Sequence, residues 1–478
     1  MTKTKDILEK NFIVFFIGIL ALGAFNYFYH LNAERVWDWD EARAGVTAYE
    51  MLQNHNYVVS TFTHQTDLWN LKPPAGLWAI MLDYKIFGFN VFALRFYSGF
   101  CCLLSLLMVM WIVAREEGKI PALISGFILA TTAQTIFVHG ARSGDYSSLL
   151  TFLVLLFIFC LFKSGKESAY LYLAGFVFSL SFLVYSFASV QLLVLALVYW
   201  LITKDYRKIP VKDYFIFLFC AFSPIATWAL WRLCNTDGWT FLREMFSYDL
   251  IKRSSQSLEG HAGNLDFYIV DVARYDCFWF VFMVVVLISF LATIEIKVDF
   301  KNRLLALSTL GVIVPFILFS LAKTKLGWYL MPIYPPLAIV IGCLAWRVLI
   351  DARCRTAGKV TILIAFVIAG LRAEREIQKT IKAPTQETAQ SILNDFKKTD
   401  YPPNSVIYRK GPTQSFDFVS EVVCGLNPIA INNLDECLNH QGYLMAEKEK
   451  GNTQIQDFVA AKRLKIILQN DDWIIAKL

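Results

Sequence analysis

Long apolar segments separated by short polar ones fill the first 371 residues, after which the chain becomes polar. A helix that crosses a bilayer needs about 20 mainly apolar residues. The segments that meet this requirement are 11–29, 91–113, 120–138, 146–162, 213–233, 274–295, 304–322, 328–346 and 359–371. The stretch 169–202 is too long for one span and predicts two, with a break near Tyr185 and Ser186. The pattern predicts a mainly α polytopic membrane protein with about eleven to thirteen transmembrane helices.

The composition supports this class and excludes others. Hydrophobic residues make up 56% of the chain and charged residues 18%, whereas a soluble domain carries about 25% charged residues. The 40 Phe, 21 Tyr and 13 Trp are typical of aromatic belts at the membrane interfaces. The net charge of +6 is spread along the chain, so nothing favours nucleic-acid binding. The 10 Cys show no CxxC spacing, which argues against a metal or redox framework.

The distribution of basic residues predicts the orientation. If the N-terminus is cytoplasmic, the inside segments hold 18 Lys and Arg in 53 residues, and the outside loops hold 9 in 102. This difference follows the positive-inside rule. The segments 30–90 and 234–273 are then long outer loops, and 73–88 predicts a helix that lies in the interface, because Asp83 and Lys85 interrupt its apolar run.

The polar tail is predicted to be a small α/β domain on the periplasmic side. Helical patterns cover 385–398 and 453–463, and SVIYR, KIIL and WIIAK are typical of short strands. Cys424 and Cys437 lie in this tail, in a compartment that permits disulfides. A disulfide and two free thiols both remain open. The predicted domains are therefore 1–371 and 372–478.

Ionisable residues at an interface point to function by default, and the outer segments hold several. In WDWDEAR, Asp40, Glu41 and Arg43 follow the first span. A positioned carboxylate suits a general base or a metal ligand. The alternative is a loop that opens a helix over 43–54, whose dipole Asp40 and Glu41 complement.

Two further motifs have both a functional and a structural interpretation. Lys72 precedes two prolines, which hold the backbone extended and give the side chain a defined direction. Such a lysine suits phosphate binding or contact with lipid headgroups. Arg142 and Asp145 lie in a short outer turn, where Asp145 is either a site residue or the cap of a helix that starts at Tyr146.

The remaining groups lie in the loop 234–273, with Arg253 and His261, and in AKTKLGWYLMPIYPPLA. In the second motif Lys323 and Lys325 run against the positive-inside trend, and its prolines interrupt regular helix. Together the outer groups predict a site for an amphipathic anion such as a lipid phosphate. A transporter would place its ionisable residues near the bilayer midplane, where these spans have almost none.

In their order along the chain, these motifs resemble those of the GT-C glycosyltransferases. They are an acidic pair after the first span, KPP before a juxtamembrane helix, R-x-x-D between two spans, an outer-loop histidine and K-x-K-L-x-W-Y-x-x-P-x-Y-P-P-L-A. The chain resembles in particular the bacterial lipid A aminoarabinose transferases and their protein O-mannosyltransferase relatives. The resemblance covers residues 1 to about 370.

The resemblance implies that a sugar is transferred from a polyprenyl-phosphate donor to an acceptor on the periplasmic side. It implies that Asp40 lies at the reaction centre with Glu41 beside it, and that Asp145 is a second acidic position. Basic and aromatic side chains would bind the donor phosphate, where they could stabilise the charge that develops on it. The candidates for this role are Arg43, Lys72, Arg253, Lys325 and Tyr329.

The resemblance also implies a candidate cofactor, a divalent metal. His261 matches a histidine that helps to hold a divalent metal in the aminoarabinose branch, which makes Zn, Mg or Mn a candidate. Leu71, however, stands where the metal-binding relatives carry an acid. Gly327 and Asn264 replace prolines of the family motifs, so the particular sugar is not assigned.

The predicted function is that of an inverting glycosyltransferase of the bacterial inner membrane. Its donor would be an undecaprenyl-phosphate-linked sugar, its acceptor lipid A or another envelope glycan, and its surroundings membrane lipids. The alternatives are a protein O-glycosyltransferase of the same fold and a flippase for lipid-linked sugars. A flippase predicts a polar path through the membrane, whereas a transferase predicts charge confined to one face.

Overall fold

The computed structural model describes residues 2–293, 302–411, 413–438, 440–448 and 454–478. Most of the predicted inside loop 296–303 and the first residue of the predicted helix 453–463 lie outside the described residues. Two compact units form. The first consists of Met1–Tyr29, Leu68–Gly76 and Tyr97–Lys382, and the second of His30–Asp67, Leu77–Phe96 and Ala383–Leu478.

The α-helices are numbered in chain order. They are α1 (Thr2–Lys10), α2 (Phe12–Phe28), α3 (Asp40–Gln53), α4 (Ala75–Phe87), α5 (Val91–Glu116), α6 (Lys119–Ala130), α7 (Ala133–Phe137), α8 (Ser147–Ser164), α9 (Ser168–Tyr185), α10 (Val190–Thr203), α11 (Val211–Leu233), α12 (Gly238–Glu244), α13 (Arg253–Ser255), α14 (Phe267–Tyr275), α15 (Cys277–Thr293), α16 (Arg303–Leu321), α17 (Tyr334–Ile350), α18 (Thr356–Lys382), α19 (Thr388–Phe396), α20 (Gln414–Asp417) and α21 (Gln454–Ala461). Short 3-10 helices cover Ser186–Ser189, Asp205–Arg207, Gly327–Ile333 and Leu434–Cys437, and π-helices cover Met245–Lys252 and Phe418–Val423.

The described parts of the predicted spans are mainly helical, with breaks inside 120–138 at Thr131 and Thr132 and inside 274–295 at Asp276, which confirms the mainly α, multi-span class. By length and composition, the described residues contain seven candidate spans, or eight if α14 and α15 form one bent span. Two shorter apolar helices, α2 and α6, accompany them. Helix α18 continues to Lys382, past the predicted domain boundary at 371, and that boundary stays a prediction.

The predicted interruption of the segment 169–202 is confirmed. Helix α9 ends at Tyr185, a 3-10 turn covers Ser186–Ser189, and α10 begins at Val190. Ser186 has φ of 55°, which no regular α-helix accommodates. In the segment AKTKLGWYLMPIYPPLA the regular helix is interrupted, as its prolines predict. A 3-10 helix covers Gly327–Ile333, and α17 begins only at Tyr334. Pro335 and Pro336 lie in the first turn of α17, where a missing N–H costs nothing.

A sharp bend separates α14 from α15. The two helices meet at 113° around Asp276, a buried residue whose carboxylate accepts hydrogen bonds from the N–H groups of Ala133 and Gln134 at 2.6 and 3.2 Å. These two N–H groups open α7 and have no partner inside that helix. The carboxylate thus satisfies them and holds the bend against α7.

Small residues let the helices of the first unit approach one another closely. A Cβ on Gly342 of α17 would lie 2.9 Å from the backbone nitrogen of Ser125 on α6. A Cβ on Gly175 of α9 would clash in the same way with the backbone of α11 at Phe217. Close packing through small residues is the usual source of helix association inside a bilayer.

The second unit contains a five-stranded β-sheet, which the polar tail of the chain forms. Strands β1 (Thr61–Phe62) and β2 (Gln65–Thr66) form a hairpin. The sheet has the order β4-β3-β5-β7-β6, with β3 parallel to β4 and β5, and β7 antiparallel to β5 and β6. Its strands are β3 (Val406–Lys410), β4 (Asn427–Ile431), β5 (Tyr443–Glu447), β6 (Lys465–Gln469) and β7 (Trp473–Lys477).

One core of this sheet packs beneath α21 and the 3-10 helix Leu434–Cys437. It contains the buried residues Tyr408, Ile431, Cys437, Leu444 and Ala446. Helix α3, from the loop after the first span, packs against α20 and the π-helix Phe418–Val423. Cys424 and Cys437 are both buried free thiols, so the structure contains no disulfide between them.

Candidate active site

Lys72 is held between two tyrosine rings of the first unit. Its Nζ lies 4.7 Å from the ring centroid of Tyr185 and 5.3 Å from that of Tyr146. Both distances are within the range of a cation–π interaction. The side chain therefore has a defined place, as the KPP motif predicts, and its role in phosphate binding stays a prediction.

Arg253 and Tyr329, two of the predicted phosphate ligands, lie side by side. Nη1 of Arg253 donates a hydrogen bond of 3.2 Å to the Tyr329 hydroxyl, and its Nε lies 3.0 Å from Oδ1 of Asp249. Nη2 is 3.9 Å from Glu259. Burial lowers the pKa of Arg253, but the Tyr329 hydroxyl and the carboxylates of Asp249 and Glu259 outweigh this effect, and the net pKa is raised. The guanidinium is thus a fixed positive charge at this point.

Asp249 connects Lys72 electrostatically with Arg253. Burial raises the pKa of Asp249 more than the charges of Arg253 and Lys72 lower it, so the net pKa is raised. We call Lys72, Asp249, Arg253 and Tyr329 the cationic cluster. Sequence reasoning missed Asp249, although its position four residues before Arg253 is the spacing at which opposite charges meet on a helix.

Asp145 is buried, with 1% of its surface exposed, and has several hydrogen-bond partners. Oδ2 lies 2.5 Å from Nδ1 of His139 and 3.0 Å from the hydroxyl of Ser147, which donates to it. Oδ1 accepts the N–H of Tyr146 at 2.6 Å. Burial raises the pKa of Asp145, but the effects of His139, Lys72 and the Tyr146 N–H outweigh it, and the net pKa is lowered. Asp145 is therefore ionised near Lys72. Helix α8 begins at Ser147, its N-cap residue is Tyr146, and no side-chain oxygen caps it, so the predicted helix cap by Asp145 is wrong.

His139 was not singled out from the sequence. Its ring stacks on Trp328 with a centroid distance of 3.8 Å, while Nδ1 contacts Asp145. The two contacts orient both members of the pair. The signal available in the sequence was a histidine in the same short turn as Asp145.

The ammonium group of Lys325 donates hydrogen bonds to backbone carbonyls of the protein itself. Nζ donates hydrogen bonds of 2.6 and 2.9 Å to the carbonyls of Ser320 and Ala322, which lie at the C-terminal end of α16. Burial lowers the pKa of Lys325, and the charge of Lys323 lowers it further. This geometry is that of a helix cap, and the predicted phosphate contact of Lys325 stays a prediction.

His261 contacts this segment through its backbone, because its carbonyl accepts the N–H of Lys325 at 3.0 Å. Within the described ranges, no group of three closely placed potential metal ligands includes His261. The residues around it thus do not by themselves form a protein ligand set for a divalent ion.

The acidic motif of the second unit is largely engaged in ion pairs. Glu41 is buried and binds Arg95, with Oε1 2.6 Å from Nε and Oε2 3.0 Å from Nη2. Oε2 also accepts the N–H of Trp37 at 3.0 Å. Arg95 donates further hydrogen bonds to three backbone carbonyls. The geometry is that of a structural pair, and the predicted catalytic role of Glu41 stays a prediction.

Arg43 likewise has an internal partner. Its Nη2 and Nε lie 2.7 and 3.0 Å from the two carboxylate oxygens of Asp67, which is buried. The guanidinium also lies 4.1 Å from the ring centroid of Phe62. Asp40 is half-buried and is the first residue of α3. The helix therefore begins three residues before the predicted start at 43, and Asp40 and Glu41 lie in its first turn. The proposed roles of Arg43 and Asp40 are not tested by these contacts.

The chain is similar to a family model and to several known proteins over part of its length. The family model described as dolichyl-phosphate-mannose-protein mannosyltransferase matches residues 71–231. The undecaprenyl phosphate-alpha-4-amino-4-deoxy-L-arabinose arabinosyl transferase of Enterobacter sp. (strain 638) is 27% identical over 346 residues, which are 69% of this chain and 58% of that protein. The enzyme of the same name from Erwinia tasmaniensis is 28% identical over 329 residues, 66% of this chain and 57% of that protein. The chain spans less than two thirds of the length of these curated relatives.

Solved structures show the fold. The crystal structure of ArnT from Cupriavidus metallidurans bound to undecaprenyl phosphate matches with a TM-score of 0.71 at 13% identity, over 96% of this chain and 97% of that one. The fold is that of a GT-C glycosyltransferase. The Archaeoglobus fulgidus oligosaccharyltransferase matches with a TM-score of 0.54 at 11% identity, over 92% of this chain and 69% of that one. The predicted GT-C fold is thus confirmed, and the chain resembles both ArnT and the O-mannosyltransferases.

Proposed function

We propose that the protein is an inverting glycosyltransferase that uses an undecaprenyl-phosphate-linked sugar as donor. The acceptor is lipid A or another envelope glycan at the periplasmic face of the bacterial inner membrane. The excess of Lys and Arg in alternate loops supports a cytoplasmic N-terminus and a periplasmic tail. The GT-C fold and the arabinosyl transferase relatives support the donor class.

The observation that carries the proposal is the cationic cluster of the first unit. Lys72 and Arg253 are held by aromatic and acidic neighbours, and the Tyr329 hydroxyl accepts a hydrogen bond from Arg253. Displacement of a polyprenyl phosphate from an anomeric carbon places negative charge on the departing phosphate. Fixed cations that are ready before the reaction stabilise such charge where water is scarce.

The acceptor side of the reaction depends on the acceptor. A hydroxyl must lose a proton, and on the resemblance Asp40 is the candidate base. The phosphate of lipid A is already anionic and needs positioning more than deprotonation. In both cases the acceptor displaces the phosphate in a single step, which inverts the configuration and needs no covalent enzyme intermediate.

Protein O-glycosylation is the second candidate, because the family model that matches residues 71–231 is named for a protein mannosyltransferase. A flippase for lipid-linked sugars is the candidate from another class. The two enzymes and the flippase differ in which cellular pool changes when the gene is removed.

The first experiment is mass spectrometry of lipid A and of total polyprenyl phosphates in cells with and without the gene. Loss of a sugar from lipid A, together with accumulation of its lipid-linked donor, would support the lipid A transferase and identify the sugar by mass. Unchanged lipid A with accumulated donor would instead favour proteins or other glycans as acceptors. If neither pool changes in cells that express the protein, the transferase proposal fails.

Variants of lysine and aspartate then test the site. Lys72→Ala is expected to lower turnover by about 100-fold or more, which is the typical effect of removing one preorganised charge. Lys85→Ala is the matched control, because exposed Lys85 also contacts a tyrosine ring, that of Tyr57 at 5.6 Å. Asp40→Asn is expected to retain donor binding and lose turnover to a hydroxyl acceptor. Equal activity of the two lysine variants would contradict the role of the cationic cluster.

A further inference from the structure

A second group of ionisable residues lies in the second unit, where neither the resemblance nor the proposed function assigns a role. Glu50 lies in the last turn of α3, His64 in the β1–β2 hairpin, and Glu421 in the π-helix Phe418–Val423. One ligand atom from each residue lies within 4.8 Å of the other two. His64 Nε2 is 3.7 Å from Oε1 of Glu421, and Nδ1 is 3.9 Å from Oε1 of Glu50.

Glu50 is an unusual residue to bury without a cation. Only 1% of its surface is exposed, Oε1 accepts the N–H of His64 at 3.0 Å, and Oε2 is a buried atom with no hydrogen-bond partner. A buried carboxylate oxygen without a partner loses its hydration and gains nothing in return. Oε1 of the same carboxylate lies 3.9 Å from Nδ1 of His64, so the buried carboxylate borders the group.

Glu421 is the second buried carboxylate of the group, with 5% of its surface exposed. Across the described ranges, the ion pairs of Glu50 and Glu421 involve only His64, with no lysine or arginine nitrogen within 4.0 Å. Two buried carboxylates with one exposed histidine have a deficit of positive charge, which a bound cation would remove.

We propose that Glu50, His64 and Glu421 form a binding site for a divalent transition-metal ion of the Zn²⁺ class. Zn²⁺ binds imidazole nitrogen and carboxylate oxygen at about 2.0–2.2 Å in a tetrahedron, which corresponds to ligands about 3.3 Å apart. The observed separations of up to 4.8 Å need only a small closure. Water would supply the fourth ligand.

The exposure of the three residues suits metal uptake. The His64 side chain is 64% exposed, whereas those of Glu50 and Glu421 are 1% and 7% exposed. Two buried carboxylates thus form the base of the site, and one exposed imidazole covers it on the solvent side. A nitrogen donor beside two carboxylates favours Zn²⁺ or Mn²⁺ over Ca²⁺ and Mg²⁺, which take oxygen ligands.

The site would link three separate parts of the second unit. Glu50 belongs to the loop after the first span, His64 to the hairpin, and Glu421 to the tail that forms the sheet. A metal that binds only the folded arrangement stabilises it by mass action. Its role is therefore structural, and it does not depend on the proposed transferase activity.

The test uses the full chain, purified in detergent, treated with EDTA and dialysed against micromolar Zn²⁺. We expect about one Zn²⁺ per chain by elemental mass spectrometry, and an apparent Tm that rises with Zn²⁺ concentration. His64→Ala and Glu421→Gln are expected to lower bound zinc by about five-fold or more, since each removes a ligand from a three-ligand site. Mg²⁺ at the same concentration is expected to leave the apparent Tm unchanged.

The matched control is His55→Ala. His55 is also an exposed histidine with positive φ, 50° against 60° for His64, so both variants carry a similar backbone cost. His55→Ala is expected to retain zinc. The proposal is overturned if wild-type protein takes up no zinc, or if His64→Ala retains as much as His55→Ala. It is also overturned if zinc is lost in His261→Ala and retained in His64→Ala.

Discussion

A variant that breaks the ion pair between Glu41 and Arg95 distinguishes a structural role of Glu41 from a catalytic one. Glu41→Gln keeps the shape of the side chain and removes its charge. Arg95, which is 0% exposed, would then be a buried guanidinium without a counter-ion. Its hydrogen bonds to the carbonyls of Leu31, Glu34 and Arg35 at 2.7–3.0 Å satisfy its donors but do not neutralise its charge.

The expected cost follows from burial and geometry. Glu41 and Arg95 are 3% and 0% exposed and share two hydrogen bonds of 2.6 and 3.0 Å. Removing one partner of such a buried pair costs about 3–5 kcal/mol. For a unit of about 150 residues, 1 kcal/mol corresponds to roughly 2–4 °C in Tm. We therefore expect the apparent Tm to fall by roughly 6–20 °C.

The assay is thermal unfolding of the detergent-purified protein, with sugar transfer measured on the folded fraction. Asp395→Asn is the control, because Asp395 forms an exposed pair with Lys398 at 2.8 Å, worth no more than about 1 kcal/mol. Glu41→Gln/Arg95→Gln is expected to be more stable than the sum of the single effects predicts, by about 0.5–3 kcal/mol. If Glu41→Gln unfolds at the wild-type temperature but loses transfer, the structural interpretation is wrong and Glu41 acts on the substrate.

Three further changes test the first unit by thermal unfolding. Lys325→Met leaves the carbonyls at the end of α16 without donors and is expected to lower the free energy of unfolding by about 1–3 kcal/mol. Lys323→Met, at an exposed position, should change it by less than about 0.5 kcal/mol. Equal effects of the two variants would contradict the capping role of Lys325. Gly342→Ala places a Cβ 2.9 Å from the backbone of α6 and is expected to cost about 1–3 kcal/mol, whereas Gly18→Ala, with no atom within 4 Å, should be neutral. Asp145→Asn is expected to cost about 3–5 kcal/mol at neutral pH. Because the folded-state pKa of Asp145 is lowered from 3.8, that stabilisation is present above pH 3.8 and is lost as the pH falls through the folded-state value, and a difference independent of pH would contradict it.

Much of the chain could be predicted from local pattern. The spans follow from runs of apolar residues, and the break after Tyr185 follows from the length of one run, because a bilayer limits how much helix it can hold. The strands β3, β6 and β7 are rich in β-branched residues and were predicted. In contrast β5, with the sequence YLMAE, consists largely of helix formers and is a strand because it is buried in the middle of the sheet.

The sequence alone also predicts a group of phosphate-binding residues, and Lys72, Arg253 and Tyr329 of that group lie in the cationic cluster. Only the tertiary structure decided how each charge is used. Glu41 pairs with Arg95 across 54 positions of the chain, and Lys325 caps a helix. Local sequence determines helices and spans because their hydrogen bonds and burial are local. The use of a charged side chain depends on partners distant in sequence, and those partners are brought together only by folding.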